Sequence, residues 1–137
     1  MNELLQEQVT AFSKIKFVYQ DLIDNPPTVA ELIDIEQFLK YDALTESKKM
    51  LIVNYLYALL AHTKNNKISV HNNPYLNQTL ISEFMQTHGD IVEKIKIVRD
   101  KVYAHIDLNW MSVAKNISND EIQCCIDFLN NIFGENK

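Results

Sequence analysis

Apolar residues recur along this chain at three- and four-residue steps, the period of one face of a helix, rather than alternating as in a strand. Leu5, Val9, Phe12, Ile15, Tyr19 and Leu22 form the first such row and predict a helix over residues 2–23. Pro26 and Pro27 end it, because proline supplies no amide donor and restricts the residue before it. Thr28 and Glu31 then stand at capping-box spacing, a hydroxyl and a carboxylate placed to accept each other's backbone amides. A second helix is expected from there to about residue 40. A third, capped by Asp42 or Thr45, carries Met50, Val53, Tyr57 and Leu60 on its inner face. Residues 64–73 are polar and rich in Asn, and read as a loop.

Asn73-Pro74 is a start signal, with Asn as N-cap and Pro at the first helical position, and Leu76, Leu80 and Phe84 supply the buried face of a fourth helix. Gly89 is expected to stop that helix in the left-handed conformation. Asp90 and Glu93 restart the chain as an acidic cap, and a fifth helix runs to about residue 106. A loop is expected over residues 107–118. Ser118 and Glu121 repeat the capping-box spacing ahead of a final amphipathic helix bearing Ile122, Cys125, Ile126, Leu129, Ile132 and Phe133. With no internal repeat, low-complexity tract or linker, residues 1–137 read as a single domain. The expected fold is all-α, an antiparallel bundle of five to six helices. The apolar faces of its first and last helices offer a surface for association.

Composition supports helices. Two Gly and three Pro stand where average usage would give about 16 together, and helical bundles need few turn residues. A chain of 137 residues buries enough surface to fold without a metal or disulfide staple. The formal charge of −5 argues against a general nucleic-acid coat protein and leaves room for a local basic patch. Adjacent Cys124 and Cys125 have neither zinc-site nor disulfide-framework spacing and read as packed thiols in a reducing compartment. The Met-Asn-Glu start carries no basic and apolar leader, and the longest apolar run, residues 50–61, is too short to span a bilayer. A cytoplasmic location with no membrane partner is expected.

The fifth helix carries the candidate chemistry. Ile91, Ile95, Val98, Val102 and His105 step by four, three, four and three, so His105 ends an inward row. A lone histidine there is often only a core residue satisfied by a neighbour. Arg99, the single Arg of the chain, lies six residues earlier, about 120° and 9 Å away on an ideal helix. Around it, Lys94, Lys96, Arg99 and Lys101 against Glu93 and Asp100 leave a net +2 within an acidic chain. Such lysines are commonly a solvated face. The set nonetheless suits a phosphate: Arg forks onto two phosphate oxygens and stays charged, while His moves a proton near neutral pH. RNA cleavage by 2′-hydroxyl attack needs little else, and no cofactor. His62, His71 and His88 are scattered without metal-ligand spacing.

Arg99-Asp100-Lys101-Val102-Tyr103-Ala104-His105 resembles the Arg-x(4–6)-His motif of HEPN domains, including the polar residue that often follows the Arg. Ala104-His105-Ile106-Asp107 is similar to the form found in abortive-infection-type and other phage-defence members. The resemblance covers about nine residues. It implies an α-helical bundle that dimerises and joins two motifs into a composite, metal-independent ribonuclease site, in a phage-defence or toxin–antitoxin setting. Carried over, Arg99 binds the scissile phosphate and His105 is general base or acid. Asp100 orients one of them, and Asp107 holds the His tautomer. Tyr103, Lys96 and Lys101 are the candidate substrate contacts, with packing the simpler role for Tyr103. The implied partners are RNA, tRNA among the candidates, a second copy, and an antitoxin or regulatory protein. Some toxin members carry a tyrosine two residues after the His, where an antitoxin attaches AMP; Asp107 stands there in this chain, which puts that regulation in doubt. Two other readings compete. One is a non-catalytic HEPN-like module that binds RNA, nucleotide or protein. The other is an unrelated helical protein in which Arg99 and Asp100 form surface ion pairs of little worth. Asn109 and Trp110 either line the cleft or anchor the loop.

Overall fold

The computed structural model describes residues 2–63, 66–104 and 117–134, with 101–104 described by backbone alone. The described residues form five α-helices: α1 Glu3–Asp24, α2 Val29–Ile33, α3 Ile35–Leu60, α4 Gln78–Ala104 and α5 Asn119–Gly134. One 3-10 turn spans Val70–Asn72, and no strand occurs among these residues. The fold is all-α.

Polar caps set several helix starts. Asn2 Oδ1 accepts from the Leu5 amide at 2.7 Å. Both predicted capping boxes are present: Thr28 with Glu31 opens α2, and Ser118 with Glu121 opens α5. Each replaces water on amides that have no partner inside the helix. The break between the second and third helices differs from expectation. It falls at Asp34, whose Oδ1 accepts from the amides of Glu36 and Gln37, and α3 then runs unbroken past Asp42 and Thr45.

The helices pack antiparallel. Lys48 meets Asp21 at 2.7 Å, and further along Lys14 lies 5.5 Å from the Tyr55 ring centroid, so α3 runs back along α1. Phe12 and Phe133 rings lie 5.4 Å apart, and the Tyr19 hydroxyl donates to the Asn119 carbonyl, so α5 also runs against α1. Phe84 stacks on Phe128 at 4.0 Å while Lys94 pairs with Glu121, which sets α4 against α5. The apolar faces of α1 and α5 therefore cover each other and the core, rather than remaining open for association as the sequence suggested. Ile15, Leu56, Leu60, Ile122, Leu129 and Ile132 are fully buried, each contributing on the order of 2 kcal/mol by removal from water.

Two further expectations are adjusted along α4. Asn73-Pro74 does not begin a helix; α4 starts at Gln78, with the Asn77 side chain accepting from the Leu80 amide. Asn73 is fully buried and serves elsewhere: its Nδ2 donates to Gln8 Oε1 at 2.9 Å, and its Oδ1 accepts from the Tyr75 amide. Gln8, itself fully buried, donates from Nε2 to the Ile68 and Ser69 carbonyls at 3.0 and 3.1 Å. This network fastens the loop before α4 to α1. The break expected at Gly89 is present one residue earlier and has a different form. His88 leaves helical geometry (φ −126°, ψ 24°), so the predicted fourth and fifth helices meet at a kink within α4, while Gly89 does not have the expected left-handed conformation, its φ not being positive.

Candidate functional site

The inward row of α4 is placed as its spacing requires: Ile91, Ile95 and Val98 are buried. Burying that row turns the next positions, Arg99 and Asp100, toward the edge of the bundle. The Arg99 guanidinium carbon lies 4.3 Å from the centroid of the Tyr57 ring on α3. Tyr57 is buried, so the ring is a fixed plate on which the cation rests, an attraction of about 1 kcal/mol. One Arg99 nitrogen donates to Asp100 Oδ1 at 3.2 Å, with the two side chains 38% and 50% exposed. Neighbours in sequence do not face each other on a helix, so Arg99 curls back to make this contact. At that exposure the pair adds little stability, and its effect is to orient the guanidinium plane.

The remaining predicted residues divide. Lys96 is exposed on the same stretch of α4. Lys94 is committed to Glu121, with its ammonium 3.0 and 3.1 Å from the two carboxylate oxygens. Burial pushes the Glu121 carboxyl up, but the Ser118 amide, the Lys94 ammonium and the Ser118 hydroxyl outweigh it and hold the group below its usual range. Lys101 and Tyr103 lie on the α4 backbone, with side chains outside the described residues. His105, Asp107, Asn109 and Trp110 also lie outside them. The structure thus joins Arg99 to Asp100 and adds a partner absent from the motif, Tyr57. The only signal for Tyr57 was its place in the inner row of α3.

Other chemistry-bearing groups sit elsewhere. His62 and His71 stack at 4.5 Å with their rings nearly parallel. His71 Nε2 donates to the Leu60 carbonyl at 3.1 Å, which assigns the hydrogen to that nitrogen, since a carbonyl only accepts. Burial lowers the His71 pKa, the Leu60 hydrogen bond opposes this, and His62 adds to it. No three His, Cys, Asp or Glu side chains among the described residues gather closely enough to hold a metal ion. Cys125 is fully buried and its thiol is pushed up to about 12, chiefly by burial and then by Cys124 and Glu121, which leaves it a packing residue. Surface clefts occur beside Glu3, Glu7, Lys14 and Tyr55, and beside Phe84, His88, Asp120 and Cys124; Arg99 lines neither. Among the described residues, no helix is long and apolar enough to cross a membrane.

A scan against protein-family models matches none to this chain, and searches of curated proteins and of solved structures find no significant match.

Proposed function

We propose that the chain is a metal-independent endoribonuclease of HEPN type, with Arg99 and His105 as its catalytic residues. The observation that carries this reading is the setting of Arg99: the chain's one guanidinium is held on the Tyr57 ring and turned by Asp100, partly open to solvent, six residues before His105. A cation fixed in direction before substrate arrives stabilises developing charge without reorganisation at the moment of reaction.

In the proposed reaction His105 takes the proton of a ribose 2′-hydroxyl. The oxygen attacks the adjacent phosphorus, the 5′-oxygen leaves with a proton, and the products are a 2′,3′-cyclic phosphate and a 5′-hydroxyl end. Arg99 binds the non-bridging phosphate oxygens and stabilises the crowded intermediate, Asp100 orients Arg99, and Asp107 supports the His105 tautomer. Lys96, Lys101 and Tyr103 contact the RNA. A second copy completes the site across a twofold axis, which supplies the residues that a six-residue offset on one helix keeps apart. The setting is cytoplasmic phage defence or a toxin–antitoxin pair, with an antitoxin or regulatory protein as partner.

Purified protein incubated with total RNA and with tRNA in EDTA tests this. Expected are fragments ending in 2′,3′-cyclic phosphate, loss of at least about a hundredfold in rate in His105→Ala, the scale of general acid–base catalysis, and a comparable loss in Arg99→Ala. Unchanged cleavage in a folded His105→Ala sinks the reading. Binding without cleavage favours the second reading, a non-catalytic module for RNA, nucleotide or protein, which draws on the −5 charge of the chain.

A further inference from the structure

Tyr57 stands where a helix is least able to hold a side chain still. α3 ends at Leu60, so Tyr57 opens its last turn, and helix ends fray. The carbonyls of that turn lack the full set of partners that interior carbonyls have. The ring that carries Arg99 therefore rests on the loosest part of α3 unless something outside the helix closes that end. The chain after α3 does so. The Tyr57 carbonyl keeps one helical bond, from the Ala61 amide at 3.0 Å. It gains a second from the side chain of Asn66, whose Nδ2 donates to it at 3.0 Å and to the Ala61 carbonyl at 3.1 Å. His71 Nε2 holds the Leu60 carbonyl. A carboxamide suits the place of Asn66, because its nitrogen carries two hydrogens, one for each carbonyl. An aspartate of the same shape carries none and would set its charge against both oxygens.

Asn66 is itself held in place. Its carbonyl accepts from the Ser69 amide at 3.2 Å and from Asn72 Nδ2 at 2.9 Å. Ser69 is fully buried, and its carbonyl accepts from the fully buried Gln8 of α1. Hydrogen bonds thus run from Gln8 through Ser69 and Asn66 to Tyr57, whose ring meets the Arg99 guanidinium. The loop braces the end of α3 against α1. We propose that Asn66 is a positioning residue for Arg99, acting through the end of α3 and the Tyr57 ring. Its bearing on catalysis rests on the ribonuclease reading, in which Arg99 must meet the phosphate in one orientation. Its bearing on the guanidinium itself does not.

Isotopically labelled arginine gives the side-chain NMR signals of one residue in this chain, because Arg99 is its sole arginine. The ring current of Tyr57 shifts the Arg99 Cδ protons upfield, and Tyr57→Leu marks their position without the ring. In full-length Asn66→Asp these signals should move toward that mark or broaden. Asn66→Ala, which removes the donors without adding a charge, should do the same. Circular dichroism checks that both variants stay folded. RNA cleavage by either variant should fall about tenfold in kcat with KM within about twofold, since a small misplacement of a catalytic group acts on the transition state. A merely structural Asn66 lowers Tm and leaves the Arg99 signals where they are. Signals unmoved in both variants, or kcat unchanged in both, overturn the proposal. Cleavage by wild type with the signals unmoved leaves the ribonuclease reading standing and sinks this one alone. If wild type does not cleave, that reading falls and the Arg99 signals decide: moved, they uphold the placement of the guanidinium through Asn66; unmoved, they overturn it.

Discussion

Replacing Gly89 by Ala separates two accounts of α4. If Gly89 terminated a helix in the left-handed conformation, a Cβ there would cost about 1–2 kcal/mol. In the structure Gly89 is a residue of α4, its φ is not positive, and an added Cβ meets nothing within 4 Å. The remaining consequence is conformational: glycine leaves more freedom in the unfolded chain than alanine, worth at most about 1 kcal/mol here, where Gly89 opens the helical segment that follows the His88 kink. Gly89→Ala should therefore stabilise the protein by up to about 1 kcal/mol, raising Tm by up to about 4 °C for a domain of this size. Urea unfolding reads the gain as a higher midpoint at unchanged m. Gly134→Ala is the internal control. Its added Cβ also meets nothing within 4 Å, but it ends α5, where helices fray, so a few tenths of a kcal/mol are expected. Destabilisation of 0.5 kcal/mol or more by Gly89→Ala, on the scale of a helix-propensity change, would refute a Gly89 outside the left-handed region.

Gln8→Met keeps the volume of a fully buried side chain but removes its bonds to Ile68, Ser69 and Asn73, leaving the Asn73 amide buried without its acceptor. The expected loss is about 3 kcal/mol in urea unfolding, and a loss below about 1 kcal/mol would show that water replaces the network. His71 titrates lower in the folded protein than when unfolded, so the unfolded chain binds its proton first as pH falls. Stability should decline from pH 6.5, the usual histidine value, down through the lowered folded pKa, and His71→Gln should remove that part of the slope when urea midpoints at several pH values are compared.

The helices were legible because burial of one face writes a period into the chain; every apolar residue expected inside α5 is inside it. Their ends were less legible. Asp34, Asp42 and Thr45 all carry capping side chains, and only tertiary packing decides which one the backbone uses. Asn73 looked like a cap because its true partner, Gln8, is 65 residues away. Gly89 looked like a stop because glycine tolerates the left-handed region without requiring it. At the site, local spacing marked Arg99 and Asp100, while the Tyr57 plate arises from α3 crossing near α4 and has no local signature. The predicted roles of His105 and Asp107 fall outside the described residues.

Glu121 also fixes how α4 and α5 are aligned. An amphipathic stripe is nearly repeated after each turn, so sliding one helix past the other by about 5.4 Å still matches apolar to apolar. Hydrophobic burial alone leaves several alignments close in energy. Two contacts do not repeat: the Phe84–Phe128 stack and the Lys94–Glu121 pair, some fifteen ångströms apart along α4. Because Glu121 Oε1 also accepts from the Ser118 amide, it cannot follow a slipped α5 without uncapping it. The carboxylate therefore acts as an index mark, and the sole arginine, five residues beyond Lys94, takes its position against Tyr57 from that mark.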